Sequence, residues 1–200
     1  MKSFFKYCGK LILTFIATSV VAFITMLMCL SANIELSIKI IVALVFVAFI
    51  MYMAWSSSVI QGEEDTKTKK YLPYKGFLSG FCAMLPMILS TIFYLILTFK
   101  GWDGANRVIA DGFYMILYLV FISFTPVLSL FVPYNPAFTV DFAQPAITVL
   151  DNITTPNAVS GPLFFVPIIM FIAFAGLGYI FGHIERASLL DVVKKIKNNK

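Results

Sequence analysis

The feature that most constrains this chain is a series of apolar runs, each close to the length needed to cross a lipid bilayer. The first occupies residues 11–30 and reads LILTFIATSVVAFITMLMCL. At 1.5 Å per helical residue, a run of this length rises about 30 Å, the thickness of the hydrocarbon core. Further runs occupy residues 38–55, 77–99, 108–132 and 162–182. Since lipid offers the backbone no hydrogen-bond partner, these runs are expected to be helical.

The composition supports a membrane location for most of the chain. Hydrophobic residues make up 60% and charged residues only 12%, whereas a soluble domain carries about 25% charged residues. We therefore predict an all-α, polytopic integral membrane helix bundle that forms a single transmembrane domain over residues 1–200. Residues 183–200 are predicted to be a basic cytoplasmic tail.

The distribution of lysine and arginine discriminates between possible topologies, because these residues are retained on the cytoplasmic side. If all five runs crossed the bilayer, seven would lie on one side and eight on the other, which gives no asymmetry. If residues 108–132 do not cross, the N-terminus, residues 61–76 and the tail share one side. The count then becomes twelve against three.

The prediction is therefore four full spans plus one broken or re-entrant helix at residues 108–132. Pro126 interrupts that run, and the backbone of a broken helix needs shielding by protein or water. Six spans are the next alternative, and five are the least favoured. Both termini are predicted to be cytoplasmic in a multi-pass protein of the cell membrane.

The internal stretch with the most charge is QGEEDTKTKKYLPYKG, at residues 61–76. It is predicted to be a cytoplasmic loop between two spans, anchored by its lysines. The alternative is a docking site for a soluble partner, since both charge signs are available for pairing. The candidate docking residues are Glu63, Glu64, Asp65, Lys67, Lys69 and Lys70.

A candidate polar site lies in the membrane run at residues 108–132. Asp111, Tyr114, Tyr118 and Thr125 fall near one face of a helix, at offsets of 3, 7 and 14. An ionisable residue inside a membrane segment is costly and therefore suggests function. The structural alternative is that Asp111 pairs with Arg107 one turn earlier and benefits from the helix dipole.

Prolines and glycines mark expected kinks and close contacts. Pro86, Pro126 and Pro167 are predicted to bend or break their helices. Gly178 and Gly182 form a small-xxx-small pattern that favours close helix packing. The tail beyond residue 188 places apolar residues at helical spacing beside lysines, which is typical of an amphipathic helix on an anionic leaflet, with a solvated tail as the alternative.

The sequence contains no P-loop, no H-E-x-x-H and no G-x-S-x-G motif. We therefore predict no catalytic residues, no cofactor and no metal, and a non-catalytic role as an accessory or transporter-associated membrane subunit. The alternatives are a small-solute carrier or substrate-capturing protein, and then an intramembrane enzyme. The expected partners are the bilayer, another membrane or cytoplasmic subunit, and anionic lipids at the C-terminal tail, but not nucleic acid.

Two sets of spaced residues resemble those of uncharacterised small multi-spanning membrane proteins of Gram-positive bacteria. The first set is Gly62, Asp65, Lys75-Gly76, Gly80 and Pro86, and the second is Gly178-Tyr179 with Gly182. The resemblance covers about a third of the chain. It implies a bacterial inner-membrane location and adds no catalytic residue.

Overall fold

A computed structural model describes residues 2–31, 36–99 and 160–198, together with single residues between 109 and 124. All regular structure within these residues is helical. We number the helices in chain order: α1 Lys2–Ser31, α2 Leu36–Lys67, α3 Lys75–Phe99, α4 Ser160–Leu163 and α5 Phe165–Asn198.

Four of the helices are long and apolar enough to cross a membrane. The candidate spans are Phe4–Met26, Ile40–Lys67, Lys75–Leu97 and Phe165–Ser188. The predicted all-helical architecture with four membrane-length helices is therefore confirmed for the described part of the chain. Most of residues 108–132, including Pro126, lies outside the described residues.

Three helices extend well beyond the predicted spans, and the first of them, α1, begins at Lys2 rather than at residue 11. The apolar run at residues 38–55 becomes α2, which ends at Lys67 and so takes in almost half of the charged stretch. Most of the run at residues 162–182 becomes α5, which begins at Phe165 and continues without a break through the tail to Asn198. Glutamine, glutamate and lysine have high helix propensity, so a helix that starts in the membrane can continue through such residues.

The directions of the helices follow from which residues meet. Tyr7 of α1 bonds to Ser58 of α2, while Met26 and Ala43 form one apolar cluster, so α1 and α2 are antiparallel. Helices α2 and α5 are parallel, because Gly178 lies against Trp55, Gly182 against Val59, and Thr66 bonds to His183. Helix α3 runs antiparallel to α5, since Gly76 lies against Tyr179 and Gly80 against Ile172. The start of α1, the α2–α3 connection and the later half of α5 therefore share one end of the bundle, which we call the Asp65 end.

Glycines bring α5 close to its neighbours. A Cβ on Gly62 would collide with the backbone carbonyl of Tyr179, and one on Gly182 would collide with the backbone of Val59. Gly178 approaches the backbone of Trp55 in the same way. Small residues allow such backbone contact between membrane helices, where dispersion and hydrogen bonding replace the hydrophobic effect. This tight α2–α5 interface fixes the side chains around Asp65.

Candidate functional site

The most polar buried group in the described chain is centred on Asp65, near the end of α2. The Asp65 side chain is 3% exposed and accepts three hydrogen bonds. Lys75 Nζ and the Tyr179 hydroxyl donate to Oδ2 at 2.5 and 2.7 Å, and Gln61 Nε2 donates to Oδ1 at 3.2 Å. We call Gln61, Asp65, Lys75 and Tyr179 the Asp65 cluster. It joins α2, α3 and α5 through a single carboxylate.

The end of α2 places Asp65 and Lys75 within reach of each other. The amide of Lys70 donates to the Asp65 carbonyl at 2.8 Å, and the amide of Lys69 donates to the Thr66 carbonyl at 3.2 Å. Lys69 adopts a φ of 56°. This is the Schellman arrangement, in which a left-handed residue ends the helix and satisfies its last carbonyls. The chain reverses here, and α3 then begins at Lys75, ten residues after Asp65.

Stacked aromatic rings cover the cluster. Tyr179 lies between Tyr7 and Tyr71, with ring centroids 6.1 and 5.3 Å away. Tyr71 also stacks on His183, with centroids 3.6 Å apart. Burial raises the pKa of the Tyr71 phenol, so this ring is neutral at physiological pH. Because Tyr71 belongs to the α2–α3 connection, the stack holds that connection against α5.

His183 has a defined role in the same region. Thr66 Oγ1 donates its single proton to the Gly62 carbonyl at 2.7 Å and lies 2.9 Å from His183 Nδ1. A hydroxyl has one proton to give, so we assign Nδ1 as the donor in the second bond. The only histidine of the chain thus forms a second polar link between α2 and α5.

The first helix joins this arrangement through Tyr7. Its hydroxyl donates to Ser58 Oγ at 2.6 Å, and Ser58 donates in turn to the Ala54 carbonyl at 2.7 Å. Both side chains are buried. All four long helices therefore contribute a side chain to the polar contacts at the Asp65 end.

The chemistry of the Asp65 cluster is that of a structural link. The carboxylate faces an ammonium group and two neutral donors, so its charge is compensated where it is buried. Breaking such a pair is costly, whereas an intact pair contributes little net stability and mainly specifies geometry. Among the described residues, no three His, Cys, Asp or Glu side chains are grouped so as to hold a metal ion.

The six candidate docking residues differ in their exposure to solvent. Glu64, Lys67, Lys69 and Lys70 are exposed, and Glu63 is half-buried. Asp65, by contrast, is buried and paired with Lys75, so it is not available at the surface. The surface that remains carries three lysines and two glutamates around the α2–α3 connection.

The structure does not describe the candidate polar membrane site. Asp111, Tyr114, Tyr118 and Thr125 all lie outside the described residues, so their proposed grouping stays a prediction.

The structure describes two of the three prolines that are predicted to bend or break helices, and both of the glycines that are predicted to allow close packing. Pro86 lies inside α3, which continues on both sides of it. Pro167 lies in the first turn of α5, where the missing N–H would have had no partner in any case. Gly178 and Gly182 both face the backbone of α2.

Sequence reasoning did not identify the contacts of Asp65 with Gln61, Lys75 and Tyr179. The available signal was the resemblance pattern itself, because most of its members, including Gly62, Gly76 and Gly182, lie in or beside the cluster. Comparisons of the chain with protein-family models, curated proteins and solved structures found no match. The resemblance to small membrane proteins of Gram-positive bacteria therefore stays a prediction.

Proposed function

We propose that the protein is a non-catalytic membrane subunit that accompanies a transporter or another membrane assembly and docks through its α2–α3 connection. The observation that carries this proposal is the division of charge at the Asp65 end. The buried charges of Asp65 and Lys75 neutralise each other, while Lys67, Lys69 and Lys70 beside them are exposed. The buried pair holds the connection in place, and the exposed lysines are free to meet a partner.

The chemistry of the partner follows from the balance of charge on this surface. Lys69 and Lys70 lie at the reversal of the chain, and Lys67 is the last residue of α2. Glu64 is the exposed acidic neighbour. An acidic patch on a membrane or cytoplasmic subunit is the complement of this surface, and complementary charge favours specificity and rapid association.

The proposal includes a topology in which the Asp65 end is cytoplasmic. It is supported by the meeting of the α1 start, the α2–α3 connection and α5 at one end of the bundle. With residues 108–132 broken or re-entrant, that end collects twelve of the fifteen lysines and arginines, as expected for the cytoplasmic side. The basic end of α5 would then also face the anionic lipids of that leaflet.

Affinity purification of the full-length protein from its native membrane tests the docking proposal. We expect a stoichiometric partner that is lost from the Lys69→Glu/Lys70→Glu variant. The matched control is Lys6→Glu/Lys10→Glu, which reverses two exposed lysines at the same end but on α1. A partner retained by the first variant, or lost equally from both, would contradict docking through the connection.

Cysteine accessibility tests the topology separately. Single cysteines at positions 67 and 200, in a background without the native cysteines, are expected to react with a membrane-impermeant reagent only after the membrane is opened. Labelling of these two positions from opposite sides would overturn the shared cytoplasmic location.

A further inference from the structure

A cleft of about 360 Å³ lies between α1 and α3, beside Leu119 and Val120. Its α1 wall extends from Ile12 to Phe23, and its α3 wall includes Ala83. Both walls lie inside the candidate spans Phe4–Met26 and Lys75–Leu97. The cleft is partly open, and Ile12, Ile16 and Val20 on its α1 wall are exposed, so in a bilayer its surroundings are hydrocarbon rather than water.

The lining of the cleft is apolar. Among the described residues that line it, Ser19 alone has a polar side chain. The volume of about 360 Å³ lies at the lower end of the range of about 300–1,000 Å³ that is usual for ligand pockets.

Two small side chains line the cleft, Ser19 on α1 and Ala83 on α3. Both are buried, so a larger side chain at either position would extend into the cleft. The Ser19 hydroxyl is buried without a hydrogen-bond partner among the described residues.

We propose that this cleft is a binding site for an acyl chain of a bilayer phospholipid, inserted between α1 and α3. The location inside the spans and the apolar walls support this occupant. A chain held on three sides makes more dispersion contacts than one lying on a convex helix surface. The site is therefore expected to be saturable, unlike the general lipid contact of an exposed helix face. It does not depend on the docking function proposed above.

The test uses the full-length protein in phosphatidylcholine vesicles that contain increasing fractions of a phosphatidylcholine with a photoactivatable diazirine on one acyl chain. After irradiation, mass spectrometry locates the labelled residues. Labelling of cleft residues is expected to saturate as the probe fraction increases, while labelling around exposed Ala17 increases in proportion. Proportional labelling at both places would overturn the proposal.

Matched variants complete the test. Ser19→Phe fills the cleft and is expected to lose most of the labelling there, whereas Ala17→Phe adds the same ring two residues away on the exposed face and retains it. Ala83→Met fills the cleft from the other wall, so it replaces Ser19→Phe if that variant does not fold. Unchanged cleft labelling in a folded, cleft-filled variant would also overturn the proposal.

Discussion

The two ends of the helix bundle are held together by different kinds of contact. At the Asp65 end, α2, α3 and α5 meet through an ion pair, directional hydrogen bonds and close backbone approaches. At the far end, the described contact between α1 and α2 is a small apolar cluster around Met26 and Ala43. Apolar contacts tolerate changes of shape, whereas a buried carboxylate requires its donors in one arrangement. The register of the helices is therefore set mainly at the Asp65 end.

The largest loss of stability is expected when the Asp65 carboxylate is removed, because the contacts at the Asp65 end depend on it. Asp65→Ala removes the carboxylate that neutralises buried Lys75, and we expect the free energy of unfolding to decrease by about 3–5 kcal/mol. Chemical denaturation in detergent micelles, followed by circular dichroism, measures the change. Glu64→Ala, at the exposed neighbouring position, is expected to change it by less than about 0.5 kcal/mol.

A second variant distinguishes the loss of the pair from the loss of packing. Asp65→Leu combined with Lys75→Met removes both charges, and we expect it to recover most of the stability that Asp65→Ala loses. At the far end, Met26→Leu is expected to cost less than about 1.5 kcal/mol. An equally large loss there would remove the distinction between the two ends.

The close approach of α2 and α5 gives the next largest expected effect. Gly62→Ala places a methyl group against the Tyr179 carbonyl, so the helices must separate, at a cost of about 1–3 kcal/mol. The control is Gly9→Ala on α1, where no atom lies within 4 Å of the added carbon. That control is expected to be neutral or to stabilise by about 0.5–1 kcal/mol. Similar losses in both variants would show that close packing at Gly62 is unimportant.

The aromatic stack gives a smaller effect and a more local one. Tyr71→Leu removes the ring contacts with Tyr179 and His183, and we expect a loss of about 1 kcal/mol. Tyr71→Phe retains the ring and is expected to retain most of the stability. Limited proteolysis of the α2–α3 connection provides a second measurement, since cleavage there is expected to accelerate in the leucine variant only.

The smallest expected effect is a gain in stability, from a substitution at the Asp65 end. Lys69 has a φ of 56°, a conformation that costs residues with a Cβ about 1–2 kcal/mol. Lys69→Gly relieves this cost but adds backbone entropy to the unfolded chain, so a net gain of about 0.5–1 kcal/mol is expected. Lys70→Gly serves as the control and is expected to give no gain. Thermal denaturation of the two variants compares them directly.

The sequence was sufficient to predict the four long helices, because apolar runs near 20 residues leave the backbone few alternatives in lipid. It did not predict where α2 and α5 end. Polar and charged residues become frequent beyond Trp55 and Gly182, and hydropathy alone treats such residues as the end of a span. Helix α2 nevertheless continues to Lys67, because a helix can extend past the membrane wherever side-chain contacts support it.

The candidate site was harder to predict for a different reason. The prediction for residues 61–76 depends on their total charge, which is a property of composition. The burial of Asp65 depends instead on Tyr179, which lies 114 residues away in the sequence. No periodicity within one helix reveals such a contact. A more informative signal was the placement of Asp65 and Lys75 beside Gly62 and Gly76, since glycines allow the close helix contact that buries neighbouring charges.

The long separation of Asp65 from Tyr179 also affects how the protein is made. Chains emerge from the ribosome N-terminus first, so α2 and α3 are synthesised well before α5. Asp65 and Lys75 are only ten residues apart and can neutralise each other as soon as α3 begins. The Tyr179 hydroxyl and the glycines of α5 are synthesised last. They add their contacts to an Asp65 carboxylate whose charge Lys75 can already neutralise.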